Sequence, residues 1–161
     1  MATANLSDYD FDKVPDASAM KITIVVAEWN SKITGGLLKG AQETLLKHGL
    51  KEENLNVHFV PGSFELPLGA QFFLEEGETD AVVCLGCVIQ GQTKHFDYVC
   101  QGLTKGIVDV SLKYNKPVIF GVLTDNTEQQ SIDRSGGKLG NKGDEAAITA
   151  IKMIDLKSKL S

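Results

Sequence analysis

The run Gly86-Cys87-Val88-Ile89-Gln90-Gly91-Gln92-Thr93-Lys94-His95 holds the densest set of chemistry-bearing residues in the chain. Gly91 permits close approach of backbone to a ligand. Behind it, Gln92 and Thr93 would present N–H groups at a helix N-terminus, a ready anion site. Thr93 reads equally as a helix N-cap. His95 lies within the first turn beside that anion site. Taken alone, a histidine is more often structural. Its place next to a glycine-bearing, amide-rich turn favours acid–base work.

Three further segments carry groups of the same kind. Glu28-Trp29-Asn30-Ser31 contains the only tryptophan, a flat face that can stack on a heterocycle. A rim residue packed on the next helix is the plainer role for it, and Asn30 or Ser31 reads as a helix N-cap. In Pro61-Gly62-Ser63-Phe64-Glu65-Leu66-Pro67, Pro61-Gly62 makes a tight turn and Ser63 reads as an N-cap. Glu65 falls in the first helical turn, where a carboxylate suits the dipole or accepts from ligand hydroxyls. Arg134 is the only arginine, and Lys138 and Lys142 follow it in a glycine-rich stretch. One guanidinium and nearby ammonium groups suit a phosphate; compensation of a helix C-terminus is the alternative. Cys84-Leu85-Gly86-Cys87 has the spacing of a redox pair. Both cysteines fall within a strand, and three-residue spacing sends them to opposite faces, so that reading is rejected.

These residues need elements to position them. Ile22–Ala27, Asn56–Val60, Ala81–Ile89 and Pro117–Leu123 read as strands. Helical spacing recurs at Ile33, Leu37, Leu38, Ala41 and Leu45, from Phe64 to Leu74, and at Phe96, Val99, Cys100, Leu103 and Ile107. Gly49 is a natural stop for the first helix. The remainder reads as helical, with a break from Gly136 to Gly143. Asp144 and Glu145 open the last helix and Lys152, Lys157 and Lys159 lie toward its end, as the macrodipole favours. Alternating strands and helices with apolar strands predict an α/β fold, a parallel sheet covered on both faces. Ligands then bind beyond the carboxyl ends of the strands, after Ala27, Val60, Ile89 and Leu123. The four segments named above sit at or follow those ends.

At 161 residues the chain is the size of one domain, preceded by an acidic arm at 1–19 that is expected to be disordered or pinned on a neighbour. A net charge of −5 offers no footprint for nucleic acid or an anionic membrane. No apolar run spans a bilayer, and the first residues lack a signal or transit pattern. Three cysteines in a chain that needs no disulfide indicate a reduced, cytoplasmic protein. The cysteines and histidines lack zinc spacing, and neither GxxxxGK[ST] nor GxGxxG occurs. The residues alone therefore indicate a small phosphorylated substrate and acid–base chemistry without metal or cofactor.

In order along residues 20–158, Val25-Val26-Ala27-Glu28-Trp29-Asn30, Pro61 to Pro67, Gly86 to Val99, Phe120-Gly121-Val122-Leu123-Thr124, Glu128-Gln129 and Gly140-Asn141-Lys142-Gly143 resemble the 6,7-dimethyl-8-ribityllumazine synthase family. The resemblance implies a flavodoxin-like three-layer sandwich with a four-stranded parallel sheet. It also implies a cofactor-free and metal-free condensation in riboflavin biosynthesis. 5-Amino-6-ribitylaminouracil and 3,4-dihydroxy-2-butanone 4-phosphate would join through an imine, lose phosphate and close the ring. Trp29 would stack on the pyrimidine. Ser63, Phe64 and Glu65 would hold the ribityl chain and ring, and Cys87, Val88 and Ile89 would line the ring. Gln92 and Thr93 match the phosphate turn and His95 the proton-transfer residue. Phe120, Arg134 and Lys142 match a face given by the adjacent subunit, with Arg134 on phosphate. The resemblance implies pentamers, and the short spacing from Arg134 to Lys142 that of members forming an icosahedral shell; riboflavin synthase is an implied partner. Gln90 stands where many members have Arg, and Trp29 where Phe is commoner. A noncatalytic flavin-binding module and a purely structural shell protein are the competing readings. The first would not need His95, Arg134 and Lys142 together, and intact Glu65, His95 and Arg134 speak against the second.

Overall fold

The computed structural model describes residues 5–160. Four parallel strands, β1 (Ile22–Ala27), β2 (Leu55–Val60), β3 (Ala81–Ile89) and β4 (Val118–Asp125), form one sheet in the order β2-β1-β3-β4. Helices α1 (Ser31–Lys47), α2 (Leu66–Glu76) and α3 (His95–Tyr114) follow β1, β2 and β3 in turn. After β4 come α4 (Glu128–Arg134), a two-stranded ribbon of β5 (Ser135–Gly137) and β6 (Gly140–Asn141), and α5 (Lys142–Lys159).

The strand side chains sort into two cores. Ile22, Ile24, Val26, Val83 and Leu85 face α1 and α5, whereas Val25, Val82, Cys84, Val118 and Val122 face α2 and α3. This is the predicted three-layer, flavodoxin-like sandwich. Leu85 is fully buried, and shortening such a leucine to alanine costs about 2–5 kcal/mol. Strand β2 differs from its neighbours. It pairs only with β1, so half of it meets solvent, and Phe59 stays 58% exposed. Helix α1 stops at His48-Gly49, where Gly49 adopts φ 92°.

Two local features depart from the sequence reading. The glycine-rich break contains a ribbon rather than bare loop, and Lys142 is the first residue of α5 rather than part of the break. Asn141 caps that helix through its side chain, which accepts from Gly143 N at 2.8 Å and donates to Gly36 O at 2.8 Å. The arm, as far as it is described, packs on its own chain. Val14, Ala17 and Met20 join the α1–α5 core. Leu6 N donates to Leu139 O and Asn141 N to Ser7 Oγ, tying the arm to the ribbon. Phe11 stacks on the buried His48 at 4.3 Å, and Tyr9 Oη lies 3.2 Å from His48 Nε2. The arm is acidic, but its Val, Ala, Met and aromatic positions supply enough apolar surface to dock.

Candidate functional site

Strand order reverses beside β1, so the loops after β1 and β3 diverge there and leave a crevice. A cleft of about 480 Å³ opens at that point. The β1–α1 turn contributes Trp29 and Asn30, the turn after β2 contributes Ser63, Phe64 and Glu65, the end of β3 contributes Cys87, Val88 and Ile89, and α3 contributes His95, Tyr98 and Val99. Eight of the residues singled out from sequence therefore meet in one place.

Local chemistry explains how each is held. Ser63 is buried and is not a helix cap. It sits inside a one-turn 3₁₀ helix, Ser63–Glu65, where Gly62 takes the cap position. Its hydroxyl accepts from Cys87 N at 3.2 Å and lies 3.4 Å from Cys87 O. A serine hydroxyl can serve both groups, and this staples the β2 turn to the end of β3. Gly86 makes the approach possible: a Cβ there would come within 2.5 Å of Ser63 Oγ. Glu65 folds back and accepts from Gly62 N at 3.0 Å. Above Gly62 lies the Trp29 ring, which a Cβ would strike at 2.6 Å. Trp29 thus rests on the β2 turn, not on the following helix, with 67% of its surface exposed at the mouth. The Phe64 ring lies against Gly102 of α3 in the same way.

Asn30 corrects the simpler cap reading. Its backbone is left-handed (φ 60°), and its side chain caps nothing. Instead Nδ2 donates to Cys87 O at 3.0 Å. The carbonyl of Cys87 is therefore gripped from both neighbouring turns. Helix α3 begins at His95, with Lys94 at its cap. Gln92 and Thr93 lie just ahead of it, exposed, so the cap falls one residue later than the Thr93 reading, and Thr93 Oγ1 accepts from His95 N at 3.3 Å. Asn30, Tyr98 and Val99 line the cleft without having been assigned to it. Tyr98 and Val99 fall three and four positions after His95, a helical spacing that places all three on one face.

Cys84 and Cys87 point to opposite faces, as their spacing requires. Burial pushes the Cys84 thiol pKa up to about 12. Burial also raises that of Cys87, and the charges of Asp125 and Glu128 act in the same direction.

Phe120, Arg134 and Lys142 stay outside this cleft. Phe120 packs half-buried against the α2–α3 core. Arg134 donates from Nη1 to Gln130 O at 2.9 Å and faces Asp125 Oδ1 at 3.9 Å. Lys142 pairs with Glu145. Asp133 accepts from Gln129 and pairs with Lys138 at 3.1 Å; these partners hold its pKa below the ordinary carboxylate range, the Gln129 hydrogen bond first. Among the described residues, no group of three or more His, Cys, Asp or Glu side chains is placed to hold a metal ion, and no helix is long and apolar enough to cross a membrane.

The family model described as 6,7-dimethyl-8-ribityllumazine synthase matches residues 19–158. The chain is 62% identical to the 6,7-dimethyl-8-ribityllumazine synthase of Parabacteroides distasonis over 157 residues, which cover 96% of this chain and 98% of that protein. It is 58% identical to the protein of the same description from Phocaeicola vulgatus, covering 99% of this chain and 96% of that one. The likeness to the corresponding Flavobacterium johnsoniae protein is 53%, over all of this chain and 86% of the other. With a match of that length lying over this crevice, the chain belongs to the 6,7-dimethyl-8-ribityllumazine synthase family.

Proposed function

We propose that the cleft condenses 5-amino-6-ribitylaminouracil with 3,4-dihydroxy-2-butanone 4-phosphate to 6,7-dimethyl-8-ribityllumazine, releasing phosphate and water in riboflavin biosynthesis. The observation that carries this reading is the convergence of Trp29, Ser63, Glu65, Cys87, Val88, Ile89 and His95 on one crevice. Trp29 stacks on the pyrimidine. Phe64, Val88 and Ile89 bound its ring, while Glu65 and the backbone held by Ser63 receive the ribityl hydroxyls. The butanone phosphate lies toward Gln92 and Thr93, within reach of His95. The amine attacks the ketone, water leaves as the imine forms, phosphate is eliminated, and the ribityl-bearing nitrogen attacks the remaining carbonyl to close the ring with loss of a second water. His95 moves the protons of these steps. Holding the two reactants together supplies much of the rate, since orientation is worth several kcal/mol.

Arg134, Lys142 and Phe120 complete the cleft of an adjacent copy, Arg134 on the phosphate. What supports this is that a matched phosphate-binding arginine stands outside its own chain's cleft. Exposed Leu68, Phe72, Leu112, Leu156 and Leu160 supply apolar surface for self-association into pentamers and, from them, an icosahedral shell. The protein works in the cytoplasm, without cofactor or metal, and delivers its product to riboflavin synthase. The test is absorbance at the lumazine band after both substrates are mixed with protein, against a protein-free blank. A protein-dependent rate supports the reading, and a rate equal to the blank overturns it. Light scattering distinguishes a shell from a pentamer.

A further inference from the structure

Two side-chain hydrogen bonds lead from the cleft wall to Asp125, whose carboxylate faces Arg134 as a longer ion pair. The Cys87 thiol donates to Ser131 Oγ at 3.4 Å, and the Ser131 hydroxyl donates to Asp125 Oδ2 at 2.8 Å. The other carboxylate oxygen, Asp125 Oδ1, faces Arg134 Nε at 3.9 Å. Ser131 is fully buried in this line. Its direction follows from proton count: a carboxylate only accepts, so the single Ser131 proton goes to Asp125, and Ser131 in turn accepts from the thiol. Burial raises the Cys87 pKa and so keeps its proton in place.

We infer that Asp125, oriented by Ser131, is the positioning residue for the Arg134 guanidinium in phosphate recognition. This rests on the reading of Arg134 as the phosphate ligand of the adjacent cleft. The Asp125 carboxylate orders the Nε edge, and Gln130 O accepts from Nη1. An arginine has five N–H donors in a planar fork, so these two anchors leave the Nη2 edge for a phosphate. An arginine left to itself loses rotamer freedom when it binds; here that loss falls on folding instead. The anchors lie on two elements, since Asp125 ends β4 and Gln130 belongs to α4. Ser131 bridges them, which sets the angle at which α4 presents the arginine.

The inference makes a prediction of opposite sign to charge counting. Removing a carboxylate near a phosphate site should tighten phosphate binding if only Coulomb attraction matters. If Asp125 positions Arg134, its removal weakens binding. Asp125→Asn keeps the shape and is expected to raise KM for the butanone phosphate, and the inhibition constant of inorganic phosphate, by about 3- to 10-fold. KM for the pyrimidine should stay within about two-fold, the sign of an intact cleft. Ser131→Ala should shift the same two constants in the same direction by a smaller factor. In an Arg134→Ala background, Asp125→Asn should add nothing, because the two act through one group. A phosphate constant that falls or stays level in Asp125→Asn while Arg134→Ala raises it overturns the positioning role. An Arg134→Ala variant with unchanged phosphate constants overturns the role of Arg134 itself. The two failures are thereby separate.

Discussion

The cleft and the carboxy-terminal segment from α4 to α5 hold the two halves of the proposed chemistry and are built in opposite ways. Cleft residues come from three strand ends and a helix start, and one chain brings them together. The end of β3 is clamped by groups from two other turns: Cys87 O by Asn30 and Cys87 N by Ser63. The cations of the carboxy-terminal segment are held by groups no more than nine residues away along the chain. Arg134 reaches Gln130 and Asp125, Lys138 reaches Asp133, and Lys142 reaches Glu145. A parallel sheet makes its strand ends converge whatever else the chain does. A helix and ribbon on the rim have no such constraint and can serve a second copy. The comparison teaches that positions adjacent in the motif list need not be adjacent in one molecule.

The largest effect should come from the cleft. His95→Ala is expected to lower kcat by about 10²-fold without abolishing turnover, since orientation survives; stopped-flow absorbance against the protein-free blank measures it. A wild-type rate would remove His95 from the chemistry.

Arg134→Ala should raise KM for the butanone phosphate by about 10- to 100-fold, the range for charge-assisted hydrogen bonds. Reassembling His95→Ala and Arg134→Ala subunits in equal amounts breaks or keeps the contrast between the regions directly. If each cleft takes its arginine from a neighbour, activity returns toward about a quarter of wild type, because random pairing restores that share of sites. If every chain is self-sufficient, mixing restores nothing.

Ser63→Ala probes the clamp. It leaves the buried Cys87 N–H without its acceptor, at a cost of about 1–3 kcal/mol of stability in urea denaturation. An unchanged midpoint would mean that the β2 turn is not stapled to β3 through this hydroxyl.

The smallest effect concerns the arm that covers the ribbon. Burial first, and the charge of Lys47 second, hold the His48 pKa below its ordinary value. A folded-state pKa below the unfolded one means that protonation favours undocking. The arm is therefore most stable above the ordinary histidine range near 6.5 and loosens as pH falls through it. Proteolysis of the arm at pH 7.5 and pH 5.5 should show faster cleavage at the lower value, and His48→Gln should reduce that difference.

Much of this was legible in the chain. Strand β1 and strand β3 were bounded to the residue, because unbroken β-branched and apolar runs have few other places to go. The strand-end rule points to four segments, of which those after β1, β2 and β3 meet at the cleft and the one after β4 does not. Other features were not legible. Ser63 and Asn30 both carry N-cap chemistry, and local pattern cannot tell a cap from a cross-strand clamp; the partner in each case is Cys87, 24 and 57 residues away. The ribbon escaped because three glycines in Gly136–Gly140 have no side-chain period to read. The docking of the arm escaped because its Val14, Ala17 and Met20 are too sparse for a periodic signal.

By itself, then, the sequence determined the main strands and helices, the two-faced sheet and three of the strand ends that meet at the cleft. These depend on local periodicity and on the convergence that a parallel sheet imposes. Only the tertiary structure decided which residues face one another across those ends, that Arg134 stands apart from its own cleft, and that it faces an Asp125 carboxylate bonded to Ser131. Those are distances between segments far apart in the chain, and they are set by how α2, α3 and α4 seat on the sheet.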